Sequence, residues 1–182
     1  MKPYKWTLFL DRDGVINKEI EGSYVLNSHN FIFYDGVLEA ITKFTKLFNK
    51  IIIVTNQKCI GKGLITHHGL ATIHNNMLNQ ITSAGGKIDA IFYSPYLDDT
   101  HPCRKPNCGM AYEAKMKFPN EINFNKSIMV GNNLSDMKFG KAVGMKTIFL
   151  TTTKTLPVEN IDLQFIDTHF DLLKNITFDG LF

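Results

Sequence analysis

Short apolar runs alternate along the chain with longer stretches in which apolar residues recur every three or four positions. Residues 6–10 form a compact apolar run closed by Asp11 and predict a first buried strand. After a turn at Asp35-Gly36, Val37, Ile41, Phe44 and Phe48 recur at helical spacing. The β-branched run 51–54 predicts a second strand. Gly61 and Gly63 break the chain before a helix carrying Leu70, Ile73, Met77 and Ile81 on one face, which Gly85-Gly86 ends. Residues 88–93 predict a third strand, 97–108 a loop rich in Asp, His and Pro, and 109–118 a helix. Residues 127–130 predict a fourth strand, followed by Gly131 and a helix ending at Gly144; residues 146–150 predict a fifth. Ile166, Phe170 and Leu173 share a helical spacing and predict a last amphipathic helix.

Strands alternating with helices imply an α/β fold: a parallel sheet covered by helices on both faces, three layers in all. At 182 residues the chain suits one domain, 1–182. Its net charge of +3 is a mild excess that is compatible with an anionic substrate, and its scattered lysines are not the clustered stripe expected of a nucleic-acid binder. The apolar stretch before Asp11 is shorter than the core of a signal peptide, and no run approaches the roughly 20 apolar residues of a membrane helix. Three cysteines, Cys59, Cys103 and Cys108, point to reduced thiols and a cytoplasmic location.

In parallel sheets ligands bind beyond the carboxyl ends of the strands, so the residues after each strand matter most. These are Asp11, Arg12, Asp13 and Gly14 after the first strand, and Thr55, Asn56 and Gln57 after the second. Arg104 and Lys105 lie in the loop beyond the third, and Asn132, Asn133 and Asp136 follow the fourth. An aspartate can attack phosphorus and hold a covalent phosphate, the part expected of Asp11. A carboxylate two residues on can serve as acid and then as base, which suits Asp13. Two carboxylates repel a phosphate, so a cation is needed, and Mg²⁺ prefers oxygen ligands. Thr55 has a hydroxyl to donate to a phosphoryl oxygen and Lys105 a charge to neutralise another. Each signal alone has a bland reading: a turn for Asp-x-Asp and Thr-Asn, solvated charge for Arg-Lys. Their shared position at strand ends is what favours chemistry.

Four segments in this order resemble the haloacid dehalogenase superfamily of phosphatases: Phe9-Leu10-Asp11-Arg12-Asp13-Gly14-Val15-Ile16-Asn17, Val54-Thr55-Asn56-Gln57, Cys103-Arg104-Lys105-Pro106 with Gly109-Met110, and Val130-Gly131-Asn132-Asn133-Leu134-Ser135-Asp136-Met137. Within it the chain resembles the D-glycero-D-manno-heptose 1,7-bisphosphate phosphatases and the related histidinol-phosphate phosphatases, which lack a large cap domain. Tyr24-Val25, Asp35-Gly36-Val37, Gly61 and Gly63 add to that likeness. The resemblance implies a Rossmann-like fold, with Asp11 as nucleophile and Asp13 as acid/base. It implies that Thr55, Asn56 and Lys105 hold the reacting phosphate and that Arg104 recognises the distal part of the substrate. It implies a magnesium site at Asp11, Asp13 and the position of Asn132.

Two departures qualify it. The zinc loop of that group is reduced here to Ser94, Tyr96, His101 and Cys103, too few ligands for a closed structural site, so zinc is not expected. The fourth motif opens with Asn132 where an aspartate is usual, and Asn133 follows where lysine is frequent; an asparagine still offers Mg²⁺ a carbonyl oxygen. The resemblance therefore implies a monomeric, Mg²⁺-dependent phosphatase acting on a small sugar phosphate, D-glycero-D-manno-heptose 1,7-bisphosphate, through an aspartyl-phosphate intermediate, with histidinol-phosphate hydrolysis or phosphate binding without turnover as alternatives. A signalling receiver is disfavoured, because Tyr93-Ser94 stands where its acceptor aspartate belongs.

Overall fold

The computed structural model describes residues 6–156, 160–178 and 180. Six strands form one sheet: β1 (Thr7–Leu10), β2 (Lys50–Asn56), β3 (Ala90–Ser94), β4 (Ser127–Gly131), β5 (Lys146–Leu150) and β6 (Thr168–Phe170), in the order β3-β2-β1-β4-β5-β6. All pairings are parallel. The helices are α1 (Val37–Leu47), α2 (Lys58–Gly61), α3 (His67–Ser83), α4 (Gly109–Lys117), α5 (Leu134–Ala142) and α6 (Asn160–Leu163).

The strands read as unbroken apolar runs because both faces are covered, and the period of two sorts their side chains between two cores. Leu8, Leu10, Ile51, Ile53, Ile128 and Val130 point to the side of α1 and α3, where Ile41, Phe44, Ile73 and Met77 meet them. Phe9, Ile52, Val54 and Met129 point to the other side, against Met110, Ala111 and Ala114 of α4 and Phe139 of α5. The register is level: Leu10 lies beside Ile53 on one flank and Val130 on the other. β1 and β4 therefore end at nearly one height, while β2 runs on past Ile53 to Asn56 and carries its loop further out over the same edge.

The C-terminal expectation is corrected. Thr168–Phe170 is not part of a helix but an edge strand paired to β5, with Leu150 beside Phe170, and Leu173 lies in a following 3-10 turn, Leu173–Asn175. Asp167 explains the switch: its carboxylate accepts the Thr147 backbone N–H at 2.8 Å and the Thr147 hydroxyl at 3.1 Å, while the Thr147 hydroxyl lies 2.7 Å from the Phe165 carbonyl. These bonds fasten the segment to the start of β5 before a helix can close. The break expected at Gly61 and Gly63 contains the single turn α2, and the chain then reverses at Gly63 with a positive φ of 70°. Among the described residues no helix is long and apolar enough to cross a membrane.

Candidate active site

A cleft of about 520 Å³ opens at the carboxyl edge of the sheet, and Asp11, Asp13, Thr55, Asn56, Arg104, Lys105 and Asn132 all line it. Asp11 leaves β1 with its N–H bonded to the Val130 carbonyl at 3.0 Å, which fixes it between β1 and β4. Its Oδ1 accepts the Arg12 N–H at 2.7 Å and lies 3.0 Å from Lys105 Nζ. Lys105 Nζ is also 2.6 Å from Asp136 Oδ1 and donates to the Val54 carbonyl at 2.8 Å. Asp11, Lys105 and Asp136 thus make a buried triad of two anions and one cation.

Asp136 is almost fully enclosed, and its other oxygen accepts the Asn133 N–H at 3.1 Å. Gly131 makes room for it, since a Cβ there would collide with the carboxylate. Burial pushes Asp11 up to about 7; Lys105 pulls the other way, and the charges of Asp136 and Asp13 push further up. Burial also works against the charge on Lys105, but Asp11 and Asp136 outweigh it and hold its pKa above the usual lysine value.

Asp13 is held differently. Its carboxylate accepts Arg12 Nε and Nη2 at 3.2 and 2.7 Å, Asn17 Nδ2 at 2.9 Å and Gln57 Nε2 at 2.8 Å. Burial alone would raise its pKa, but the Arg12 charge and these bonds prevail and hold it below the usual carboxylate value. Arg12 is itself buried, with Nη1 3.2 Å from His74 Nε2. Burial and the Arg12 charge push His74 down to about 3, so its ring is neutral and accepts from the guanidinium.

Thr55 is buried at the end of β2, and its hydroxyl accepts from Gln57 at 2.9 Å. The Asn56 side chain is committed at both ends to the Lys105 backbone, at 3.1 Å each. Asn56 therefore ties the loop that carries Lys105 to β2.

Asn132 does not cap α5; Asn133 takes that position. The Asn132 Nδ2 donates to Thr153 Oγ1 at 2.7 Å and faces Glu19 Oε2 at 3.4 Å. A carboxylate only accepts, so the nitrogen belongs on that side and Oδ1 is left as the free end. Gly14, at a φ of 81°, lies so close to this amide that a Cβ would overlap it.

Arg104 sits at the rim, its Nε bonded to Asp99 at 2.6 Å and its Nη1 3.4 Å from the Tyr96 carbonyl. Below it, the loop that departs from the zinc pattern closes on itself. Tyr96 and His101 stack with centroids 3.2 Å apart, His101 Nδ1 accepts the Cys103 N–H, and Cys103 Sγ donates to Glu113. Among the described residues no three His, Cys, Asp or Glu side chains converge as a metal cluster.

The structure thus brings together every residue expected at the site. To these it adds Asp136, Arg12, Gln57, His74 and Glu19, to which the sequence assigned no role. Asp136 and Gln57 lay inside recognised segments; His74 and Glu19 gave no signal, because one is a helix position and the other an ordinary loop acid.

The chain resembles known phosphatases over most of its length. Residues 7–179 match a family model described as polynucleotide kinase 3 phosphatase. The D-glycero-alpha-D-manno-heptose-1,7-bisphosphate 7-phosphatase of Campylobacter jejuni is 37% identical over 143 residues, spanning 79% of this chain and 80% of that protein. The beta-anomer 7-phosphatase of Vibrio cholerae is 33% identical over 157 residues, spanning 82% of each. The solved D,D-heptose 1,7-bisphosphate phosphatase from B. bronchiseptica, complexed with magnesium and phosphate, superposes with a TM-score of 0.81 at 25% identity, covering 97% of this chain and 98% of that one.

Proposed function

The chain belongs to the heptose 1,7-bisphosphate phosphatase family of the haloacid dehalogenase superfamily, and from that premise we propose that it hydrolyses one phosphate of D-glycero-D-manno-heptose 1,7-bisphosphate through a phosphorylated Asp11. The observation that carries the reading is the buried triad of Asp11, Lys105 and Asp136, with Asp13 two residues from the nucleophile.

An Asp11 oxygen attacks phosphorus while the bond to the sugar oxygen breaks. Asp13 gives that oxygen its proton. Asp13, now ionised, takes a proton from water; the resulting hydroxide attacks the acyl phosphate, releasing inorganic phosphate and restoring Asp11. The Arg12 fork keeps Asp13 ionised at rest, so Asp13 takes its proton from solvent before it serves as the acid. Leaving that fork raises its affinity for a proton, so turning toward the leaving oxygen and becoming an acid go together. Lys105 Nζ and the Thr55 hydroxyl hold phosphoryl oxygens, and Asn56 and Gln57 fix those two groups in place.

The oxygens available to Mg²⁺ fit a hard cation: Asp11, the Asp13 backbone carbonyl and Asn132 Oδ1, whose amide is turned the right way by Glu19 and Thr153. When bound, Mg²⁺ keeps Asp11 ionised and draws charge from the phosphoryl oxygens.

A small substrate is favoured over a polynucleotide by the cleft itself. Its basic residues are Arg12, Lys58, Arg104 and Lys105. Arg12 and Lys105 are buried in ion pairs, leaving two rim cations, enough for one distal phosphate rather than a strand. The test is phosphate release with Mg²⁺ from both heptose bisphosphate anomers and from histidinol phosphate. Asp11→Asn is expected to reduce turnover by roughly four orders of magnitude or more. Substantial activity in that variant would sink the covalent mechanism.

A further inference from the structure

At the rim of the cleft an exposed carboxylate bridges two cations. Asp99 Oδ1 is 2.6 Å from Arg104 Nε and 3.5 Å from Lys58 Nζ. Lys58 opens α2, directly after the loop of Thr55, Asn56 and Gln57; Asp99 and Arg104 come from the loop after β3. All three line the same cleft as Asp11. The Arg104 side chain is 10% exposed and that of Lys58 34%, whereas that of Asp99 is 77% exposed.

The Asp99 backbone is fixed, since Asn107 Nδ2 donates to its carbonyl at 3.0 Å. Its carboxylate can therefore turn into solvent without moving the loop. A mostly hydrated carboxylate gives up little when it leaves a rim ion pair. A phosphate brings more charge and more acceptor oxygens to the same two donors.

We infer that Lys58 joins Arg104, already expected from the family resemblance at the distal end of the substrate, in seating the distal anion, and that Asp99 is the resident counter-anion of the two, displaced when that anion docks. This rests on the reading of Asp11 as the reacting group, because the seat is distal only with respect to it. Arg104 contributes a planar fork already aimed by its enclosure. Lys58 contributes a point charge on a flexible stem, able to follow the anion. In the resting protein Asp99 keeps the two cations together and lowers their appetite for stray anions. Selectivity for bisphosphates then arises from a competition: a ligand without a distal anion leaves Asp99 in place, and one with it must expel Asp99.

The experiment is steady-state kinetics on matched pairs, heptose 1,7-bisphosphate with heptose 7-phosphate and fructose 1,6-bisphosphate with fructose 6-phosphate, for the wild type, Lys58→Met, Asp99→Asn and Arg104→Ala. Lys58→Met is expected to raise KM for the bisphosphates about tenfold while changing kcat/KM for the monophosphates less than about twofold. Asp99→Asn is expected to lower KM for the bisphosphates by about threefold, with the monophosphates again serving as the folding control. Equal losses on both substrate classes in Lys58→Met, or no loss on either, would overturn the role of Lys58. A raised bisphosphate KM in Asp99→Asn would overturn the counter-anion and make Asp99 a strut of the loop. If the wild type itself showed no preference for bisphosphates, the underlying substrate reading would fail along with the seat. If Arg104→Ala alone lost the preference, only the present inference would fall.

Discussion

Two ion triads sit within one cleft, built as opposites. The inner one, Asp11–Lys105–Asp136, has two anions around one cation and is buried; the outer one, Lys58–Asp99–Arg104, has two cations around one anion and faces water. Burial pushes the inner Asp11 up to about 7, while the Arg104 hydrogen bond and the Lys58 charge pull the outer Asp99 down. The same three chemical types therefore serve contrary ends. A net negative triad in a low-dielectric floor attracts a metal cation, and a net positive triad at a hydrated rim attracts an anion. Under the proposed reaction the pair gives the substrate a direction across the cleft.

The largest expected effect comes from breaking the inner triad. Lys105→Met would leave Asp11 and Asp136 without their shared cation. Turnover should fall by about 10²–10³, and urea unfolding without metal should show a loss of about 3–5 kcal/mol; a variant unchanged in both would mean that the triad is incidental. Breaking the outer triad should be milder and selective. Arg104→Ala is expected to reduce kcat/KM about 10- to 100-fold for a bisphosphate and within about threefold for a monophosphate, and equal losses would assign Arg104 to the reacting phosphate or to the fold. Adding charge at the inner end sharpens the contrast by a smaller amount: Asn132→Asp should tighten Mg²⁺ binding severalfold by calorimetry, partly offset by the new carboxylate's proximity to Glu19. Unchanged affinity would remove Asn132 from the metal site.

The smallest effect is expected in the metal-free wild type, where two buried groups oppose each other. The folded pKa of Asp11 is raised to about 7 from 3.8, so stability is lost as pH rises from about 4 to 7. The folded pKa of His74 is lowered to about 3 from 6.5, so stability is lost as pH falls from about 6.5 to 3. Between about pH 4 and 6.5 the two trends offset. Asp11→Asn should leave the His74 trend, with stability rising with pH, and His74→Gln should leave the Asp11 trend, falling with pH. Chelator-treated samples unfolded in urea across that range would show it; parallel profiles in both variants would contradict the assignment.

Much of this was legible in the sequence because parallel sheets concentrate function at strand ends. Once five apolar runs were placed, Asp11, Thr55, Lys105 and Asn132 could be gathered without coordinates. The sixth strand escaped, because three residues are too few to show a period and Ile166, Phe170 and Leu173 happen to keep helical spacing. What decided it was Asp167 reaching back to Thr147, a contact that no local pattern encodes. The roles of Arg12 and His74 escaped for a related reason. A buried guanidinium is tolerable only with partners, and one of them lies on α3, distant in sequence. Lys58 and Asp99 belong to no motif, and only the fold sets them on one rim.

The strand order has a consequence for how the protein is made. Thr7 of the central strand pairs with Lys50 on one side and Ser127 on the other. During synthesis β1, β2 and β3 emerge together and can associate early, whereas β4 arrives last among the site-bearing strands and must close the longest loop. The Asp11 N–H finds its carbonyl, on Val130, only at that point, and Asp136 arrives with the same segment. Docking of β4 is thus also the step that assembles the inner triad. The rate at which refolding chains regain Mg²⁺-dependent activity should follow that docking, and should lag behind probes placed on the β1–β2–β3 half.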